Sequence, residues 1–196
     1  MDYDFDNESK KPTLKNILIE VFIWAAMIGA VIFFAYFIVY YCVEKTNVIG
    51  DSMESTLSAD KGIIINKFVY HVKDPKRFDV IVFKQSGKEH SYYNIKRIIG
   101  LPGERLLIKD DNIYINGEII EDIVNVEPMV NYGLADEEIV LEDNEYFVLG
   151  DNRNNSEDSR FASIGNITRD DIIGKAVIQL SPFNFISKLN LKDPKK

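Results

Sequence analysis

The chain changes character near residue 44. From Val21 to Val43 no residue is charged, a run of 23 positions. As an α-helix at ~1.5 Å per residue this run is roughly 34 Å long, more than the ~30 Å hydrocarbon core of a bilayer. Trp24 stands near one end and Tyr40 and Tyr41 at the other, where an aromatic belt would meet the two interfaces. A buried core helix fits less well, because such helices are seldom apolar on every face for this length. A cleaved secretory signal would have an apolar region of ~7–15 residues closed by small residues. Here the run ends Tyr-Tyr-Cys-Val-Glu-Lys. The pattern predicts a retained membrane-spanning helix over 21–43. Lys10, Lys11 and Lys15 precede it and only Lys45 follows closely. Basic residues stay on the cytoplasmic side, so 1–20 is expected to be a cytoplasmic tail, polar and flexible in its first part, and 44–196 to lie outside.

Beyond the helix the pattern is that of strands. Short β-branched or aromatic runs occur at 62–68, 79–83, 94–99, 104–109, 113–115, 146–149 and 175–180. Turn residues separate them, as in Leu101-Pro-Gly103, Asp110-Asp-Asn112 and Glu142-Asp-Asn144. Asn116-Gly117 between Ile115 and Glu118-Ile-Ile120 predicts a tight hairpin. No long amphipathic helix is expected after residue 60, and no repeat occurs. The expected fold is mostly β: a single N-terminal transmembrane helix followed by an extracytoplasmic all-β domain of many short strands, 44–196, as a barrel or folded-over sheets. The segment 121–138 is weakly patterned and reads as an insertion or long loop.

Composition narrows the function classes. The net charge of −8 argues against nucleic acid as a partner. The one cysteine, Cys42, allows no intrachain disulfide. With two histidines, His71 and His90, and no Cys/His cluster, no metal site and no cofactor are expected. Neither histidine has the context of a serine–histidine–acid triad, and both read as ordinary surface residues.

Three segments could carry chemistry. Gly50-Asp-Ser-Met-Glu-Ser-Thr-Leu57 follows the helix directly and would expose a hydroxyl on a turn, although such a run is most often only a turn. In Tyr93-Asn-Ile-Lys-Arg-Ile-Ile99, strand alternation puts Lys96 and Ile98 on one face and Ile95 and Arg97 on the other. Lys96 is then either a snorkelling edge-strand lysine or a desolvated one. Burial disfavours the ammonium and can lower a lysine pKa by ~3–5, giving an amine able to take a serine proton. The third segment, Leu149 to Arg160, is a dense polar loop after an apolar strand. It is either a solvated turn or an ordered scaffold for a site.

Together these segments resemble type I signal peptidases, bacterial membrane serine proteases. Gly50-Asp-Ser-Met53 with Thr56-Leu57 resembles the family's nucleophile box, and Asn94-Ile-Lys-Arg-Ile-Ile-Gly-Leu-Pro-Gly103 its lysine box. Gly150-Asp-Asn-Arg-Asn-Asn-Ser-Glu-Asp-Ser-Arg160 resembles its last box, and Arg77-Phe-Asp-Val-Ile-Val-Phe83 the strand between. The boxes stand in the family's order, from about Trp24 to Leu180, and a single anchor resembles the Gram-positive type.

The resemblance implies a Ser–Lys endopeptidase that removes signal peptides from exported preproteins at the membrane surface, after small residues one and three positions before the cut. Ser52 would be the nucleophile and Lys96 the general base. Ser156 would hydrogen-bond the lysine amine. The Ser52 amide, aided from Gly50, would meet the oxyanion. Asp151, Asp158, Arg97 and Arg160 would form ion pairs that shape the site. Val48, Met53, Leu57 and Ile95 would line small apolar pockets. The partners implied are preproteins carrying signal peptides and the lipid bilayer of the cell membrane. Three departures stand out: Gly50 where some members have serine, Ser55 where proline is usual, and Lys84-Gln-Ser-Gly87 without the proline often found there. Ser52 is nine residues past Val43, so at ~3.3 Å per residue it can lie at most ~30 Å from the end of the span. A self-cleaving repressor-type Ser–Lys protease would need a DNA-binding module, which this chain lacks. An inactive anchored binding domain would be favoured only if Ser52 or Lys96 were missing.

Overall fold

A computed structural model describes residues 13–84, 92–189, 191 and 192. His90, the Gln85–Gly87 stretch and the first twelve residues, with Lys10 and Lys11, lie outside the described residues. The chain divides into two compact units, Met1–Tyr40 and Tyr41–Lys196.

Among the described residues the first unit is formed by the helix α1, Leu14–Cys42, whose last two residues fall in the second. It begins seven residues before the expected span, because Lys15 and Glu20 can sit in the helical ladder without interrupting it. Thr13 opens it, its carbonyl accepting the amides of Asn16 and Ile17. None of its residues is buried. An apolar surface on every side and 29 residues make it long and apolar enough to cross a membrane.

Among the described residues of the second unit every strand pair is antiparallel. Its strands are β1 (Val43–Asn47), β2 (Gly62–Asn66), β3 (Val80–Phe83), β4 (Asn94–Gly100), β5 (Arg105–Lys109), β6 (Asn112–Ile115), β7 (Glu118–Ile120), β8 (Ile139–Val140), β9 (Glu145–Leu149), β10 (Ile167–Thr168), β11 (Ile172–Leu180) and β12 (Phe183–Phe185). One sheet runs β1-β2-β11-β3-β4-β9-β10, with β12 on β11; the other runs β7-β6-β5-β8. The strand at 43–47 escaped the sequence pattern. Its Val-Glu-Lys-Thr-Asn side chains alternate weakly, and it exists because β2 offers its edge. The expected hairpin forms at Asn116 and Gly117, both left-handed at φ 53° and 85°, which matches the right-handed twist of β6 and β7. Among the described residues the only other α-helix is the single turn Val69–Val72.

Three apolar clusters hold this unit. One gathers Val48, Met53, Leu57, Ile63, Val80 and Ile95 under the loop that follows β1. A second joins the smaller sheet (Leu106, Ile108, Ile113) to Ile99, Phe147 and Leu149 of β4 and β9. A third, with Tyr70, Ile81, Phe83, Ile98 and Val148, packs on β3, β4 and β9. β4 therefore contributes to all three and has partners on both sides, β3 and β9.

Candidate active site

The site is built where β4, the loop after β1 and the loop after β9 meet. Lys96 stands in the middle of β4, opposite Ile81 of β3. It is not on an edge, and it is only 4% exposed. The desolvated reading of this lysine holds and the snorkelling one does not. Burial pushes its amine below the ordinary lysine range, opposed by the charges of Asp158, Glu157 and Asp151.

Lys96 Nζ hydrogen-bonds Ser52 Oγ at 2.6 Å. Ser52 sits on a compact turn closed by Glu54 N to Asp51 O (2.9 Å) and Leu57 N to Met53 O (2.6 Å). Met53 and Leu57 turn into the first apolar cluster, which leaves the serine hydroxyl half-exposed beside the lysine. Among the described residues the Ser52 amide donates to no acceptor. Gly50 is exposed, in the left-handed region at φ 77°, and a Cβ there would meet nothing. Glycine at this position therefore answers a backbone requirement, not a steric one. Ser55 is left-handed too, at φ 69°. Proline, fixed near −65°, could not take this conformation, so the loop follows a path of its own here.

The loop after β9 is no solvated turn. Asp151, Arg153, Asp158, Ser159 and Arg160 are all buried. Arg97 grips Asp151 through Nε (2.8 Å to Oδ1) and Nη2 (2.6 Å to Oδ2), and also donates to the carbonyl of Phe78 at 2.9 Å. Phe78 holds φ 68°, rare for an aromatic residue. Arg160 and Asp158 form the second expected ion pair, at 2.8 Å, and Asp158 also accepts the Gly150 amide at 3.0 Å. Such buried pairs add little net stability over apolar packing, but removing one partner costs about 3–5 kcal/mol.

Ser156 departs from expectation. Its Oγ is buried and forms no hydrogen bond among the described residues, so the bond to the Lys96 amine is not made. The lysine is turned on Ser52, and the Ser156 hydroxyl lies against Gly150, where a Cβ would clash with it and with the Ser52 carbonyl. Val48, Met53, Leu57 and Ile95 do come together, but as members of the core, each no more than 5% exposed. His71 is exposed on the surface turn, its Nδ1 against the Lys67 carbonyl.

Several participants carried no legible signal. Thr56 donates to Asp151 Oδ2 at 2.5 Å. Asn152 reaches the nucleophile loop twice, N to Ser52 O and Nδ2 to Asp51 O, both at 3.0 Å. Arg153 donates to Gly150 O at 3.1 Å and pairs with Asp122. The segment 121–138 is thereby fastened along the loop after β9. Asn131 O accepts Arg160 (2.8 Å), Pro128 O accepts Asn154 (2.9 Å) and Leu134 N donates to Arg160 O (2.8 Å). The long loop is a buttress for the site loop. Gly133 permits the approach: it is left-handed at φ 56°, and a Cβ would strike the Arg160 carbonyl.

The family described as "Signal peptidase, peptidase S26" matches residues 21–181. A probable signal peptidase I-2 from Synechocystis is 35% identical over 147 residues, spanning 72% of this chain and 65% of that protein, just under two thirds of its length. Signal peptidase I from Bacillus amyloliquefaciens is 34% identical over 189 residues, 93% of this chain and 98% of that protein. A crystal structure of a signal peptidase I from Enterococcus faecalis V583 is similar with a TM-score of 0.44 and 33% identity, covering 53% of this chain and 97% of that one.

Proposed function

Because this chain belongs to the signal peptidase family, peptidase S26, we propose that it is a membrane-anchored serine endopeptidase that removes N-terminal signal peptides from exported preproteins. The observation that carries the reading is the 2.6 Å contact of Ser52 Oγ with a lysine only 4% exposed. Ser52 is the nucleophile and Lys96 the general base. Neutral Lys96 accepts the hydroxyl proton as Ser52 Oγ bonds to the scissile carbonyl carbon. The resulting oxyanion is met by the Ser52 amide, which has no acceptor of its own among the described residues. A preorganised donor of this kind is worth ~2.7–4 kcal/mol to the transition state. Collapse breaks the C–N bond, and the Lys96 ammonium returns its proton to the leaving amine. Lys96, neutral again, then takes a proton from water as water attacks the acyl-enzyme, and Ser52 is regenerated.

Helix α1 serves as a single anchor over about 21–43, with 1–20 cytoplasmic and 44–196 outside. The uncharged run and the lysines before it support this orientation. Small residues are selected one and three positions before the cut. The likeness of the Ser52 and Lys96 motifs to those of the family supports this.

The test uses the purified full chain in detergent with a precursor bearing an Ala-x-Ala site, and mass measurement of the product. One cut after the second alanine is expected, lost in both Ser52→Ala and Lys96→Ala variants that remain folded. The rate should rise with pH as Lys96 loses its proton. Near-normal turnover in either variant refutes the dyad.

A further inference from the structure

We propose that Thr56 is a positioning residue for the proposed reaction: its hydroxyl, bonded to Asp151, locks the nucleophile loop to the strand that carries the base. The proposal rests on the dyad reading and adds a residue to it.

Ser52 and Lys96 lie 44 residues apart, and nothing local fixes their separation. Thr56 follows Ser52 by four positions, and Arg97 follows Lys96 directly. Asp151 joins the two: one carboxylate oxygen, Oδ2, accepts from Thr56 Oγ1 (2.5 Å) and from Arg97 Nη2 (2.6 Å), while Oδ1 accepts from Arg97 Nε (2.8 Å). Thr56 is 6% exposed, Asp151 1% and Arg97 2%, so water does not compete for these bonds. The backbone of the loop is folded around the same point, since Thr56 N donates to Met53 O (3.0 Å) and Glu54 O (2.7 Å). What the Thr56 bond adds is a directional tie between the loop and β4, beside the packing of Met53 and Leu57 with Ile95 and the Asn152 bonds. A looser loop lets Ser52 drift from Lys96, and an error near 1 Å in such geometry can cost ~100-fold in rate.

The groups facing Lys96 give a readout that simple packing would not move. Asp158, Glu157 and Asp151 hold its ammonium from the loop after β9. Arg97 and Arg160 neutralise Asp151 and Asp158, Ser52 contacts the amine, and β3 presents Ile81 opposite. Without the Thr56 hydroxyl, Asp151 loses one of its partners and acts more strongly on Lys96.

The experiment compares Thr56→Val, which removes the hydroxyl and keeps the shape, with Thr56→Ser, which keeps the hydroxyl. Two quantities are measured on the full chain in detergent: precursor cleavage, and the titration of Lys96 by 13C NMR of lysine labelled at Cε, assigned by its absence from a Lys96→Arg sample. Thr56→Val should raise the Lys96 titration midpoint. Its kcat near neutral pH should fall at least about threefold, towards the ~100-fold that a displacement near 1 Å costs, with KM within about twofold. Thr56→Ser should restore both. An unchanged midpoint in folded Thr56→Val overturns the proposal even if no cleavage is found, which separates it from failure of the dyad reading. If Thr56→Val does not fold, Thr56→Ser decides: parental midpoint and kcat support the hydroxyl's role, and a folded but impaired serine variant refutes it.

Discussion

Replacing Asp158 by asparagine keeps the shape of a fully buried side chain and removes its charge. Asp158 is 0% and Arg160 1% exposed, and their contact is 2.8 Å. The substitution leaves the Arg160 guanidinium without its anion. Breaking a buried pair this way costs about 3–5 kcal/mol. At about 2–4 °C per kcal/mol for a domain of this size, the Tm of the outer unit should fall by about 6–20 °C. The effect on Lys96 runs the other way. Asp158 is the foremost charge favouring the Lys96 ammonium against the larger effect of burial. Its removal, together with the uncompensated Arg160, lowers the Lys96 pKa. A drop of roughly one would give about tenfold more neutral lysine wherever pH lies below the pKa. Per folded molecule, the rising limb of kcat/KM against pH should therefore move to lower pH. Thermal unfolding by circular dichroism and a pH profile of precursor cleavage measure the two effects. A Tm loss under about 3 °C, or a limb that stays put or moves to higher pH, refutes this account of the site's electrostatics.

Gly150→Ala should abolish cleavage, because its Cβ would clash with Ser156 Oγ and the Ser52 carbonyl. A product assay with near-parental rate would show that the loops need not approach so closely. Gly117→Val should cost about 1–2 kcal/mol in chemical denaturation and leave kcat/KM unchanged, since φ 85° disfavours a β-branched residue at a hairpin remote from the dyad. Asp122→Ala should cost about 3–5 kcal/mol by stranding Arg153, which is 3% exposed, with denaturant midpoints as the measure. A loss below about 1 kcal/mol would mean that the segment 121–138 does not buttress the site loop.

The sequence by itself determined whatever depends on local pattern. Twenty-three uncharged positions make an apolar helix, and alternation sets opposite sides for Ile95 and Lys96 in the regular part of β4, before its register shifts beyond Ile98. Asn116-Gly117 closes its hairpin because only a few residues accept two left-handed positions in a row. The motifs around Ser52, Lys96 and Asp151 were legible as a family pattern, but neither the serine nor the lysine was persuasive alone. Tertiary structure decided what a lysine in a strand cannot state about itself. Lys96 is desolvated because β4 lies between β3 and β9 and two loops close over it. It also decided the support of the site. Thr56 meets Asp151 across 95 residues, and Arg153 meets Asp122 across 31. No periodicity encodes such pairs, since each is fixed only when the sheets have set the loops side by side. The same holds for Ser156. Its position in the motif suggested a bond to the lysine, whereas packing sets its hydroxyl against Gly150, because a side chain goes where its neighbours leave room.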